Sequence, residues 1–174
     1  MNSKADELLE RLNTCAFSGH RASKLGKDAN RALAREALRE AVSEAIASGF
    51  KHFITGGSTG FDTWAAETVL SFRENDKTLS LELAIPCLEQ FSVWNKADRE
   101  KYLEIKERAD RLHYVTEKKY ENGCMQLRNR YMVDKSSLLI CYFSGSPGGT
   151  KYTADYALKQ GLEVINLYEK PDID

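Results

Sequence analysis

The stretch ITGGSTGFDTWAAE, from Ile54 to Glu67, decides how this chain folds. Its first two residues close a short apolar run, Lys51–Thr55, of the kind that suits a strand buried on both faces. Gly56, Gly57 and Gly60 then make a loop with little side-chain bulk. Beyond it, Phe61, Ala65, Val69 and Phe72 recur at the spacing of one helical stripe. Strand, glycine loop and helix in that order form one βα unit, and the same alternation extends in both directions.

Residues 14–17, 79–85, 111–116, 137–143 and 162–168 read as further strands, rich in Leu, Ile, Val and aromatics. Residues 29–48, 94–109, 124–134 and 150–160 read as helices. In the first of these Leu38, Ala41, Val42, Ala45 and Ile46 share a face, and Gly49 follows as a C-terminal stop. Six strands alternating with five helices predict an α/β fold: a single doubly wound domain, its six-stranded sheet mostly parallel, with helices on both faces. The domain is expected over residues 13–170. Residues 1–12 are expected as a frayed helical turn or arm, and residues 171–174 as a tail.

Bulk properties exclude several functions. The chain has 174 residues and a formal net charge of −1, with 42% hydrophobic and 29% charged residues. So balanced a charge argues against a global electrostatic grip on duplex nucleic acid or an acidic membrane. No apolar run approaches the roughly 18 residues that suggest a membrane span, and the charged start MNSKADELLERL lacks the apolar core of a secretory signal. Cys15, Cys87, Cys124 and Cys141 are scattered without a CxxC pair, so a disulfide scaffold or structural zinc site is not expected. His20, His52 and His113 show no metal-ligand spacing, and no metal site is expected. The expected compartment is the cytoplasm.

In an open parallel sheet, ligands lie beyond the carboxyl ends of the strands, where the strand order reverses. Three loops of the expected sheet carry suitable residues there. Ser18-Gly19-His20-Arg21 follows the first strand, Gly56–Asp62 the second, and Gly145-Ser146-Pro147-Gly148-Gly149-Thr150 the fifth. Glycines let a ligand approach the backbone, and a following helix start offers free N–H groups for phosphate. Ser58 or Thr59 is a candidate cap for one helix and Thr150 for another. Arg21 offers a planar fork to phosphate, and His20 offers a hydrogen bond, either to a ligand or within its own turn. Glu67 sits oddly among Trp64, Ala65 and Ala66 for a solvated charge. It is a candidate to receive a ribose hydroxyl or brace the first loop, whereas the helix dipole accounts more simply for Asp62. Arg128 and Arg130 add positive charge before the fifth strand, and Phe91 and Trp94 are either a base-stacking pair or a core plug. Neither GxGxxG nor GxxxxGK[ST] is present.

CAFSGHR (Cys15–Arg21), ITGGSTGFDTWAAE (Ile54–Glu67), IPCLEQFSVW (Ile85–Trp94) and RNRYMVDKSSLLICYFSGSPGGTKYTADYA (Arg128–Ala157) occur in that order. Together they resemble the YpsA-like family of the SLOG superfamily, Rossmann-like domains related to DprA and LOG proteins. The resemblance spans about residues 14–168. It implies a Rossmann-like fold binding a nucleotide-like small molecule, such as an NAD or ADP-ribose derivative. Gly19, Arg21, Gly56, Gly57, Gly148, Gly149 and Thr150 would then lie at the pocket, with Glu67 as the family's acidic residue. LOG enzymes carry PGGxGTxxE, but Lys151 and Tyr152 stand where the second Gly-Thr belongs and no catalytic glutamate follows. Binding or sensing is therefore the leading expectation. An N-glycosidic hydrolase using Glu67 or Asp62 is the alternative, and a protein-interaction module with a vestigial pocket is the third reading. The resemblance is also compatible with a homodimer.

Overall fold

The structure, a computed structural model, describes residues 3–168. Its strands are β1 (Thr14–Gly19), β2 (His52–Thr55), β3 (Ser80–Ile85), β4 (Arg111–Tyr114), β5 (Leu138–Tyr142) and β6 (Glu163–Asn166). They lie in the order β4-β3-β2-β1-β5-β6, and every neighbouring pair is parallel. The chain thus steps outward from β1 to β4, then crosses back to place β5 on the other side of β1. That reversal puts a crevice at the carboxyl ends of β1 and β5.

Six α-helices and a short 3-10 helix (Ala22–Lys24) accompany the sheet: α1 (Lys4–Leu12), α2 (Asp28–Ala47), α3 (Phe61–Asn75), α4 (Lys96–Arg108), α5 (Cys124–Asp134) and α6 (Gly149–Lys159). Alternation along the strands divides the core into two layers. Phe17, Phe53, Leu81 and Leu83 face Leu38, Val42, Ala65, Val69 and Ile105 of α2, α3 and α4. Ala16, Ile54, Ala84 and Leu139 face Met132, Val133, Ala154 and Ala157 of α5 and α6. Helices therefore cover both faces, as the alternating pattern predicts. Neither Ser58 nor Thr59 caps α3, and Thr150 does not cap α6. The residues at those caps are Gly60 and Gly148, with no side-chain bond.

Residues 4–12 form a full helix where a frayed turn or arm is expected. Ser3 and Asp6 explain it, because each side chain bonds the other's backbone N–H in a reciprocal cap. This helix buries none of its residues, and Leu8, Leu9 and Leu12 are each more than half exposed. The expected tail, residues 171–174, lies outside the described residues, as do the last two residues of the expected domain. No helix among the described residues is long and apolar enough to cross a membrane. All four cysteines are buried free thiols.

Candidate functional site

At the strand-order reversal lies a cavity of about 230 Å³. The loop after β1 lines it with Ser18, Gly19, His20 and Arg21, and the loop after β5 with Ser146, Pro147, Gly148, Gly149 and Thr150. Ser58 and Asp62 enter from the loop after β2, and Met125, Arg128, Asn129 and Met132 from α5. Three loops far apart in sequence thus meet at one edge.

His20 holds them together. Its backbone N–H donates to the Tyr142 carbonyl at 3.0 Å, and its carbonyl accepts the Phe61 N–H at 3.2 Å. Its Nε2 accepts the Ser144 N–H at 3.1 Å. Burial, and to a lesser degree Lys24, push the imidazole below its ordinary pKa, so the ring is neutral and able to accept at pH 7. Of the two uses expected for His20, the hydrogen bond within the turn is the one present. Gly60 begins α3 with φ of +89°, and its missing side chain leaves room for the backbone of residues 20–22.

Arg128 forms the cavity's inner wall. It is 5% exposed, and its Nη1 donates to the Gly56 carbonyl at 2.8 Å. Its Nε donates to Asn129 Oδ1 at 2.9 Å. A Cβ on Gly56 would stand 2.2 Å from Arg128 Nη1, so glycine there is what admits the guanidinium. Arg130, two residues on, points away, and its Nε donates to the Tyr152 hydroxyl at 2.6 Å.

Asp62 is the one carboxylate on the cavity wall. It is 6% exposed and accepts the Ser58 N–H through Oδ2 at 3.2 Å. Burial pushes its pKa up to about 6, against the opposing pull of Arg128, the Ser58 N–H and Arg21. In the unfolded chain the value is about 3.9. A carboxyl raised on folding gives stability that is complete below the unfolded pKa and lost as pH rises through the folded one. Between about pH 4 and pH 6 the protein is therefore expected to lose up to about 3 kcal/mol as pH increases. Urea titrations at successive pH values should show this slope, and Asp62→Asn should flatten it. A variant with an unchanged slope would assign the titration elsewhere.

Four cations, Arg21, Lys24, Arg128 and Lys151, line the same cavity. The first backbone bond inside α6 runs from the Tyr152 N–H to the Gly148 carbonyl at 3.0 Å. The N–H groups of Gly149, Thr150 and Lys151 precede it, unsatisfied within the helix. Excess positive charge and a helix start together suit an anion.

Three expected site residues stand elsewhere. Gly56 supports Arg128 from behind, and Gly57 packs against Tyr102 and Leu83. Glu67 lies on another face of α3, paired with Lys101 at 3.3 Å and Arg35 at 3.7 Å in a separate groove. Five residues separate it from Asp62, so the two carboxylates diverge around the helix. Phe91 and Trp94 pack on Tyr102 with ring centroids 5.3 and 5.4 Å away, as the core plug. Lys24, Lys151, Met125 and Asn129 were not among the expected residues. Met125, Arg128, Asn129 and Met132 recur at helical spacing, and that stripe was the available signal.

UPF0398 protein BH1768 of Halalkalibacterium halodurans is 31% identical over 155 residues, covering 86% of this chain and 82% of its own. A UPF0398 protein of Bacillus thuringiensis strain Al Hakam is 33% identical over 136 residues, covering 77% of this chain and 73% of its own. Among solved structures, DNA processing protein A (DprA) from Helicobacter pylori aligns with a TM-score of 0.64 at 19% identity, covering 97% of this chain and 71% of that one. DprA from Streptococcus pneumoniae aligns at 0.63 with 15% identity and covers 95% of this chain, which spans only 53% of the pneumococcal one. At such identities these two structures show the shared fold. The YpsA profile matches residues 15–167, and by that match the chain belongs to the family described as the YspA SLOG family.

Proposed function

We propose that this chain binds a phosphate-bearing, nucleotide-like small molecule of the NAD or ADP-ribose kind in the crevice between β1 and β5. The observation that carries the reading is the convergence of three loops on a cavity with four cations, one carboxylate and the start of α6. Arg21 is exposed at the mouth and its side chain makes no protein hydrogen bond among the described residues, which leaves its fork for a phosphate. The α6 N–H groups take further phosphate oxygens. In this reading Asp62, which lines the cavity, receives a ribose hydroxyl in place of Glu67, which lines another groove. Single-stranded DNA, named for the Helicobacter pylori protein, suits this chain less well, because its net charge is only −1. The cytoplasm, where such nucleotides occur, is the proposed compartment.

Calorimetric titration with ADP-ribose and NAD tests this. Saturable binding is expected, with at least a tenfold loss in Arg21→Ala. Absence of heat and of thermal shift across a broad nucleotide set would overturn it.

One observation favours a second reading, hydrolysis of an N-glycosidic bond. Asp62 is a buried carboxyl with a pKa pushed up to about 6, the condition of a group that holds and releases a proton near neutrality. Chromatography of the same mixtures for free base separates the readings. Base release lost in Asp62→Asn supports the enzyme, and unchanged ligand supports binding alone.

A further inference from the structure

A second cavity, of about 210 Å³, opens at the opposite, amino edge of the sheet, beneath α1. The most buried of its charged residues is Glu82, on the α5 side of β3 and 9% exposed. Glu82 Oε1 accepts the Tyr131 hydroxyl at 2.6 Å, while Oε2 takes no hydrogen bond from the described residues. Burial and Glu82 both raise the Tyr131 pKa, so the phenol keeps its proton and donates. The Tyr131 ring is fixed by stacking on His113, with centroids 3.7 Å apart and planes 7° from parallel.

Beside Glu82, His52 Nδ1 is bonded to Ser80 Oγ at 2.6 Å, and burial, then Arg111, hold its pKa below the ordinary value. The ring is therefore neutral and adds no charge. Three carboxylates (Glu7, Glu10, Glu82) and three cations (Arg11, Arg111, Lys135) line the cavity. Glu10 is satisfied by Arg111, and Arg11 donates to the Ser136 carbonyl at 3.2 Å. Lys135 is exposed, forms no ion pair among the described residues, and lines the same cavity as the open Glu82 oxygen. The crevice between β1 and β5 has a surplus of cations, whereas this lining is balanced.

We infer that the amino-edge cavity is a second binding site, for a small zwitterion of the α-amino-acid class, its ammonium on Glu82 Oε2 and its carboxylate on Lys135. Arg111 is the register partner of Glu82 on β4, but its bond goes to Glu10, so the second Glu82 oxygen opens to the cavity and suits a charged donor. A balanced lining disfavours a net anion or a net cation. At about 210 Å³ the cavity has room for a single amino acid. This site shares no lining residue with the crevice between β1 and β5, and its test is independent of the nucleotide reading.

The experiment is calorimetry of the full chain with each of the twenty free α-amino acids, and with the decarboxylated amine of any that binds. At least one amino acid is expected to bind with Kd of about 1 mM or tighter. Glu82→Gln should weaken it at least tenfold with circular dichroism unchanged. Lys135→Ala, an exposed change that spares the fold, should weaken the amino acid but leave the amine unaffected. ADP-ribose should not compete. Failure of all twenty to bind overturns the inference, as does binding indifferent to both substitutions, or an amine that binds as well as its parent amino acid.

Discussion

Replacing Gly60 with valine is expected to destabilise the protein by about 4 kcal/mol, from backbone strain and steric overlap together. Gly60 has φ of +89° and ψ of −123°, a region that a β-branched residue does not enter without strain. A Cβ there would also stand 2.5 Å from the Ala22 nitrogen and 2.7 Å from the His20 oxygen, both main-chain atoms. Those atoms cannot simply retreat, because His20 is tied to Tyr142, Phe61 and Ser144 at once. Urea denaturation gives the measurement. A loss below about 1 kcal/mol would mean that the first loop is far softer than its bonds indicate.

Arg128→Met is expected to cost about as much, roughly 3–5 kcal/mol at pH 8, because it leaves a buried charge unbalanced. Methionine approximates the length of the chain but donates nothing, so the Gly56 carbonyl loses its 2.8 Å bond and Asp62 its opposing cation. The deficit should shrink at pH 5. Asp62, already raised to about 6 in the intact protein, is then protonated and no longer requires a cation. Denaturation at both pH values decides the matter. An equal loss at each would show that Arg128 acts through its hydrogen bonds and packing alone. Nucleotide binding should fall with it, since Arg128 forms the inner wall of the crevice.

Most of the fold is legible in the order of apolar runs and glycine loops, because buried parallel strands and their crossover helices have strong periodic signals. All six expected strands are found, each within a few residues of its expected bounds. The sheet's order follows from where short connections can reach. The full helix α1 is not legible in this way, because it has no apolar stripe turned toward the core. Its helix rests on a local cap, Ser3 with Asp6, and periodicity carries no trace of such a cap.

The crevice is less legible, and the residues show why. Loop glycines identify an edge of the sheet but not which of them meets a ligand. Gly56 and Gly57 are needed for Arg128 and Tyr102 to pack, and Gly148 and Gly149 lie open. In the sequence Glu67 stands out of place among alanines, yet its cations come from α2 and α4, elements that only the tertiary fold brings near. Asp62 looked like an ordinary helix-start acid, and only burial beside Arg128 distinguishes it. The choice between Arg128 and Arg130 was within reach of helical geometry. Two residues apart on α5, they must face different ways, and Arg128 shares its stripe with the buried Cys124 and Met132.

Because His20 couples the three loops through bonds of its ring and its main chain, the outline of the crevice is set when the protein folds. Ordering a free side chain on binding costs roughly 0.5–1.5 kcal/mol, and ordering a loop costs more. Here the loop entropy is lost before any ligand arrives, and exposed side chains such as Arg21 are what remains to be ordered. A molecule entering the crevice meets a rigid receptor, so differences in affinity between close analogues should appear in how slowly they leave, with association rates nearly constant.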